Sequence, residues 1–423
     1  MFSKQYFVLG FAMFSMFFGA GNLIFPASLG LISGENWFFA LMGFLTTGVG
    51  LTFLGVFALS KTEGSAFKFA EKVSPKFSFI FNSIIILSIG PLLALPRTGA
   101  VTFEMSVLPF APNFNPWIFG IFYFGLTVFL AIKPSSMLDK LGKLLTPMIL
   151  LTLVLIIGVG IFKPFGNIVN TVNLEQGAYI KGFFEGYQTM DALGSIIIAV
   201  LVIDIIKART KENERNKALL YTSIIAGILM ALVYGGLMFL GAKSGSLYIG
   251  ENISRTLLLT NLAVLTLGNM GQLVLAILVA FACLTTSVGL VATAGNFFSK
   301  HTKFTYEKIV VASAIFSLFV ANLGVDQIVK ISIPLLVLMY PICIVLIILN
   351  SFSNIFKRKG TYIGAVIGAG LISIIEALNA LELKFEYINN FYNAIPLAKA
   401  GYAFVIPAII FSIFFTFIIR DEN

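Results

Sequence analysis

The sequence predicts an all-α polytopic membrane protein with about twelve transmembrane helices, and three observations carry that prediction. Hydrophobic residues occupy 58% of the 423 positions and charged residues only 11%, whereas soluble domains carry roughly 25% charge. Mean hydropathy is +0.97. The apolar residues fall into about twelve separate runs, and two of these are interrupted where a helix is hardest to maintain, at 19–22 and within 185–194. Nearly the whole chain therefore lies in or near a membrane as one unit, a single domain over 1–423 with no room for a second, soluble one.

In chain order the helices are placed at 5–32, 37–60, 77–108, 115–132, 138–162, 178–206, 218–241, 270–299, 309–322, 327–350, 361–380 and 395–419. Lys4 precedes an apolar run too long for a signal-peptide core and lacking a small-residue cleavage pattern, so the first run is read as a retained helix. Within it, Gly19, Gly21 and Asn22 are followed by Pro26. Glycine costs roughly 1 kcal/mol relative to alanine in a helix interior and proline has no N–H to donate, so the helix is expected to break at 19–22. A kinked helix with glycines for close packing is the plain alternative.

Run three places Arg97 and Glu104 seven residues apart on one face. They line a pathway or form internal pairs, and a structural or gating pair with an acidic partner is favoured for Arg97. Run five carries Lys143 four residues before Pro147, and run ten repeats that punctuation with Lys330 and Pro334. Run six is interrupted by Glu185-Gly186-Tyr187-Gln188-Thr189-Met190-Asp191-Ala192-Leu193-Gly194, matching the interruption of run one. Both pairings are five helices apart, an odd number, so the second copy enters from the opposite side. The pattern marks a five-plus-five inverted repeat, with repeat one at about 5–162, repeat two at about 178–350 and trailing helices at about 361–419.

Asp204 and Glu376 fall near helix ends, where snorkelling explains Asp204. The 207–217 segment, KARTKENERNK, reads as a solvated topology anchor, and 253–267 as an amphipathic piece that is either an extracellular lid or a plain surface helix. Of the 28 Lys and Arg residues, 20 fall in one set of loops and seven in the other. That bias places both termini in the cytoplasm.

Two facing breaks have a definite chemistry. A half-helix beginning after the first break aims free N–H groups at an anion, while carbonyls left open at both breaks suit an ammonium group or a sodium ion. The surrounding Phe, Ile, Leu and Met residues favour a zwitterion with an apolar side chain. Thr285, Thr286 and Ser287, next to Cys283 in run eight, either offer hydroxyls to a small alkali cation or simply bond back to the preceding turn.

An enzyme is not expected. His301 lies in a basic loop without a nucleophile, Cys283 and Cys343 stand singly in apolar segments, and no phosphate-binding glycine loop is present. The net charge of +9 is dispersed over short loops, which gives no nucleic-acid signal.

FFGAGNLIFP at 17–26, GPLLALPRT at 90–98, GYQTMDAL at 186–193, ACLTTSVGL at 282–290, and ANLG with ISIPLLVLMYP within 321–341 resemble the branched-chain amino acid:cation symporters, a bacterial family of the amino acid/polyamine/organocation superfamily. The resemblance covers nearly the whole chain. It implies the LeuT-type fold with discontinuous helices one and six. It also implies sodium-driven uptake of leucine, isoleucine or valine across the bacterial inner or plasma membrane, with no organic cofactor and no obligatory protein partner.

Residue by residue, the resemblance assigns the substrate carboxylate to the backbone of Ala20, Gly21 and Asn22, and the amine and side chain to the break carrying Tyr187, Thr189, Met190 and Asp191. It assigns one sodium to the Ser15, Phe18 and Cys283 carbonyls and the Thr286 and Ser287 hydroxyls, with Thr285 as an alternative. Ala27 and Ile342 depart from the family pattern, where prolines often follow Pro26 and Pro341. Proton coupling is a second possibility, although residues 144–162 hold no lysine or histidine to carry it. A membrane-embedded amino acid sensor is a third.

Overall fold

The structure, a computed structural model, describes residues 4–132, 136–171, 174, 177–383 and 386–419. Lys133, Lys384 and Arg420, counted above as loop cations, lie outside the described residues, as do the side chains of Lys4, Lys140, Lys143, Arg209 and Lys399. Every regular element among the described residues is helical.

The first run forms α1 (Lys4–Phe17) and α2 (Ala20–Ser33). The break therefore falls at Phe18 and Gly19 rather than across 19–22. Asn22 stands in the first turn of α2, where its Oδ1 accepts the Gly19 N–H at 3.1 Å, and this return bond starts the helix at Ala20. Run two comprises α3 (Trp37–Leu45) and α4 (Thr52–Ser60), joined by a widened turn at Thr46–Leu51. A short α5 (Ala66–Glu71) follows.

Run three, expected to be continuous, is broken. Its halves α6 (Pro75–Leu87) and α7 (Ala94–Thr102) part around Gly90 (φ −96°, ψ −122°) and Pro91. The Pro91 carbonyl accepts the Ser317 hydroxyl at 3.2 Å, which satisfies backbone that has left the helix at membrane depth. The first half ends with α8 (Pro116–Ile132) and α9 (Ser136–Phe162).

Run six divides into α10 (Ala178–Tyr187) and α11 (Asp191–Arg209), bent by 43°. Beyond the charged loop runs α12 (Arg215–Lys243). The amphipathic 253–267 piece and the eighth run are one element, α13 (Arg255–His301), articulated at Gly268, whose φ of 68° and ψ of −164° are open to glycine alone. Then come α14 (Tyr306–Ala321) and α15 (Val325–Ser351), the latter holding Pro334 and Pro341 inside one helix. The trailing elements are α16 (Lys359–Ala380), α17 (Glu386–Ala394) and α18 (Val405–Ile418). Serine or threonine caps start several of these helices, as Ser74 does for α6 and Ser254 for α13.

Among the described residues, six helical stretches are long and apolar enough to cross a membrane, or seven with the bent α10–α11 pair counted as one. The twelve apolar runs expected from sequence are more numerous because Ala20–Ser60 counts as one stretch and four apolar helices, Gln5–Phe17, Pro116–Ile132, Pro147–Phe162 and Val405–Ile418, are shorter than the roughly 20 residues of a full span. Large apolar side chains such as Phe122, Phe162, Leu232, Phe319 and Phe417 are exposed around the outside, as a lipid-facing surface requires. The protein is a multi-pass membrane protein.

The two halves pack by the same device. In the first broken run α2 crosses α12, with Gly30 against the Met238 backbone and Gly241 against that of Ala27. In the second, α10 crosses α3, with Gly43 against the Tyr179 backbone and Gly182 against that of Ala40. Each discontinuous helix thus lies on the second run of the opposite half, as an inverted repeat requires. Small residues let the backbones approach where lipid supplies no hydrophobic drive. Gly30→Val is expected to lower stability by about 1–3 kcal/mol through overpacking, read as a fall in Tm in detergent. Gly125→Ala, at a position with no neighbour within 4 Å of the added methyl, should leave Tm unchanged.

Candidate substrate site between two helix breaks

The breaks of runs one and six face each other and are tied together by side chains. Asn22 Nδ2 donates to Asp191 Oδ2 at 2.6 Å and also bonds the Tyr234 hydroxyl. That hydroxyl lies 3.5 Å from the same Asp191 oxygen. All three residues are buried, so each bond is made in a low-dielectric interior where an unpaired partner is costly. Asn22 thereby performs two tasks: its amide oxygen starts α2, and its amide nitrogen joins the two breaks.

The α10–α11 break is closed almost entirely by defined donors. Met190 takes the left-handed conformation, φ 61° and ψ 12°, and turns the chain into α11. The Gly186 carbonyl accepts the Thr189 hydroxyl at 2.9 Å, and the Tyr187 carbonyl accepts the Tyr340 hydroxyl at 3.0 Å. The Gln188 carbonyl accepts Arg97 Nη1 at 2.6 Å, while its side-chain Oε1 accepts the Ser332 hydroxyl at 2.8 Å. Two other helices, α7 through Arg97 and α15 through Ser332 and Tyr340, therefore hold the break in place.

Between the breaks lies a cavity of about 70 Å³, lined by Phe18, Ala20, Gly21, Asn22, Thr189, Met190, Asp191 and Thr286 among the residues expected from sequence, with Arg97 and Thr98 added from α7. By a similar measure a water needs about 10–15 Å³, so the space suits a small solute rather than a nucleotide or peptide. Met16, Phe17, Ile89, Ile198 and Leu290 complete an apolar wall.

Tyr187 does not line this cavity. Its ring stacks on Tyr340 with centroids 3.8 Å apart and packs against Phe183 and Phe184, an aromatic plug on the α10 side. The proposed ion ligands also separate. Thr285 and Thr286 each donate to the Ala282 carbonyl at 2.9 Å, as the back-bonding reading had it, yet Thr286 still borders the cavity. Ser287 donates to the Cys283 carbonyl at 2.8 Å and is hydrogen-bonded to Thr98 at 2.6 Å and to Tyr123 at 2.7 Å, and it does not border the cavity. Ser15 and Cys283 are likewise outside the lining, and α1 packs on α12 and α11 while α13 packs on α2 and α7.

The acids and bases of run three find different partners. Arg97 and Glu104 share a face, yet Glu104 accepts the Thr256 hydroxyl at 2.5 Å and the Val325 N–H at 2.9 Å, clamping α13 and α15 together. Beside it Arg255 pairs with Asp326 at 2.5 Å. These groups border a second cavity of about 660 Å³ at the starts of α13 and α15. Glu185 pairs with Lys181 one turn away at 3.1 Å, and Glu376 accepts the Tyr392 hydroxyl at 2.9 Å. Tyr234, Tyr340 and Thr98 were not assigned to the site from sequence, and nothing short of the fold brings them to the breaks.

Two broken helices facing across a small buried cavity define a transporter architecture. Solved structures share it: Mhp1 in its inward-facing conformation gives a TM-score of 0.61 at 14% identity, covering 93% of this chain and 92% of that one. A Na+-coupled sialic acid symporter gives 0.60 at 15%, covering 97% and 90%. The fold is the LeuT type.

A profile of the branched-chain amino acid transport protein family matches residues 2–422. The branched-chain amino acid permease BraB of Bacillus subtilis (strain 168) is 39% identical over 421 residues, 96% of this chain and 94% of the relative. The branched-chain amino acid transport system 2 carrier protein of Pseudomonas aeruginosa is 36% identical over 405 residues, 94% and 92%. The chain belongs to this family, and it is a transport protein rather than an enzyme.

Asn22→Ala removes every bond that the amide makes and should cost about 1–3 kcal/mol, read as a fall in Tm. Tyr234→Phe leaves the Asn22–Asp191 bond in place and should cost less, about 0.5–1.5 kcal/mol. Equal Tm for Asn22→Ala and wild type would show that the tie between the breaks carries no stability.

Proposed function

We propose that the protein takes up leucine, isoleucine or valine by sodium-coupled symport, alternating access around the cavity between the two breaks. The observation that carries this is the cavity itself: it sets the N-terminus of α2 and the Asp191 carboxylate around a space walled by apolar side chains. A carboxylate suits the N–H groups of Ala20, Gly21 and Asn22, an ammonium group suits Asp191 and the Thr189–Met190 turn, and a branched aliphatic side chain suits Met16, Ile89, Ile198 and Leu290. The relatives' names specify branched-chain amino acids, which agrees with that wall.

Sodium is the cargo ion of this reading. Thr286 and Phe18 already border one space. Movement of α1 toward α13 brings Ser15 and Phe18 to Cys283, Thr286 and Ser287 and completes the ligand set. Ion binding is then linked to closure of that side, and the linkage couples the two solutes. The family relationship implies the plasma or inner membrane, with the lysine-rich loops and both termini in the cytoplasm. One observation favours a second reading, proton coupling: Asp191 is a titratable side chain in the cavity wall.

Leucine uptake into proteoliposomes should require sodium outside and fall to background when choline replaces it. Uptake that survives the replacement and follows an imposed pH gradient instead would establish proton coupling. Thr286→Ala should raise the sodium concentration for half-maximal uptake about tenfold or more, as loss of an ion ligand does. Unchanged sodium dependence would place the ion elsewhere. Gly21→Leu should abolish leucine binding while the protein still inserts, since a Cβ there meets Arg97 Nη2 at 2.8 Å and the Phe25 ring at 3.1 Å.

A further inference from the structure

One cation of the cavity wall forms no ion pair among the described residues. Arg97 is 4% exposed and, among those residues, is the only lysine or arginine bordering the cavity. Four ion pairs form among the described residues, Lys68–Glu63, Lys181–Glu185, Arg215–Glu212 and Arg255–Asp326, and Arg97 takes part in none. Its hydrogen bonding among those residues is a single bond, Nη1 to the Gln188 carbonyl, which leaves Nη2 and Nε without acceptors. A guanidinium inside a membrane span is costly, and a neutral carbonyl does not balance its charge.

Its position sharpens the question. A Cβ built on Gly21 would stand 2.8 Å from Nη2 and 3.2 Å from Cζ, so the guanidinium is pressed against the first turn of α2. There the N–H groups of Ala20 and Gly21 have no intrahelical acceptor, and the helix dipole presents its positive end. The protein thus brings a buried cation against a positive helix terminus, two positive groups that a single anion can bridge. Asp191 borders the same cavity, but its Oδ2 is held by Asn22 and none of its oxygens lies within 4.0 Å of an Arg97 nitrogen. The Phe25 ring, 5.3 Å from Cζ, supports one side of the guanidinium without neutralising it.

We propose that Arg97 is a substrate-binding residue: its guanidinium and the first N–H groups of α2 together receive the carboxylate of the transported amino acid. The bond to Gln188 then orients the fork rather than consuming it. Asp191 and Arg97 form the two poles of a receptor for a zwitterion, the ammonium drawn to one and the carboxylate to the other. Gly21 is required because any side chain there displaces the fork. This inference rests on the proposed amino acid substrate.

The test compares leucine with leucinol, which keeps the amine and the side chain but lacks the carboxylate, in binding to the purified full-length protein by titration calorimetry. Wild type should prefer leucine by about 10- to 100-fold, the range for a hydrogen bond to a charged group. In Arg97→Gln the preference should fall to near unity with leucinol affinity unchanged. Arg97→Lys should retain part of it, because an ammonium keeps the charge but loses the fork. Arg97→Gln that keeps the wild-type preference, or weakens both compounds equally, overturns the proposal and leaves Arg97 as a structural tie to Gln188. If Arg97→Gln does not fold, an undiminished preference in Arg97→Lys has the same force. Wild type that binds neither compound overturns the amino acid reading itself, a result distinct from leucine binding that ignores Arg97.

Discussion

The hydrogen bond from Asn22 to Asp191 is the contact on which the site depends, because it joins two helix ends that neither half of the chain can stabilise alone. Each break exposes backbone polar groups at a depth where water is scarce, and each must be satisfied by protein. The 3.1 Å return bond from Gly19 to Asn22 begins α2, and the same side chain then reaches run six. Removing the amide would undo a helix start and a bridge between repeats together. Around this contact, Tyr340, Thr189 and Arg97 close the second break donor by donor, so the two breaks are rigid features rather than frayed ends.

The cavity wall is linked to the start of α13 through one aromatic ring. Phe25 lies under Arg97 at 5.3 Å and under Arg255 at 5.8 Å, so one ring touches a cation of the site and a cation of the α13 base. Arg255 in turn grips Asp326, and Glu104 grips Thr256 and the start of α15. The aromatic cluster of Tyr187, Tyr340 and Phe183 packs beside the α10–α11 break. The first helix, α1, packs on α12 and α11 rather than on the hydroxyls of α13.

Much of this was legible in local residue chemistry. Glycine, asparagine and proline in an apolar run located the first break to within two residues, and Glu185 to Asp191 located the second, because unfavourable helix residues act where they stand. The odd spacing of matching punctuation disclosed the inversion. Local chemistry did not disclose that Asn22 belongs to the helix rather than to the break, since its capping role depends on one side-chain rotamer. The Gly90–Pro91 break was overlooked although its signal was present, and its stability depends on Ser317, more than two hundred residues away.

By itself the sequence determined that the chain is helical, spans a membrane several times, carries an inverted repeat and breaks in two matching places, because hydropathy, helix propensity and charge bias act over a few turns. Only the tertiary structure decided which polar groups meet. Ser287 turns to Thr98 and Tyr123, Glu104 serves α15 instead of Arg97, and Arg97 faces the start of α2 without an ion pair among the described residues. A buried polar side chain can satisfy its hydrogen bonds with any neighbour that packing supplies. Its partner is therefore set by how helices cross, and those crossings depend on contacts such as Gly30 with Met238 that span most of the chain.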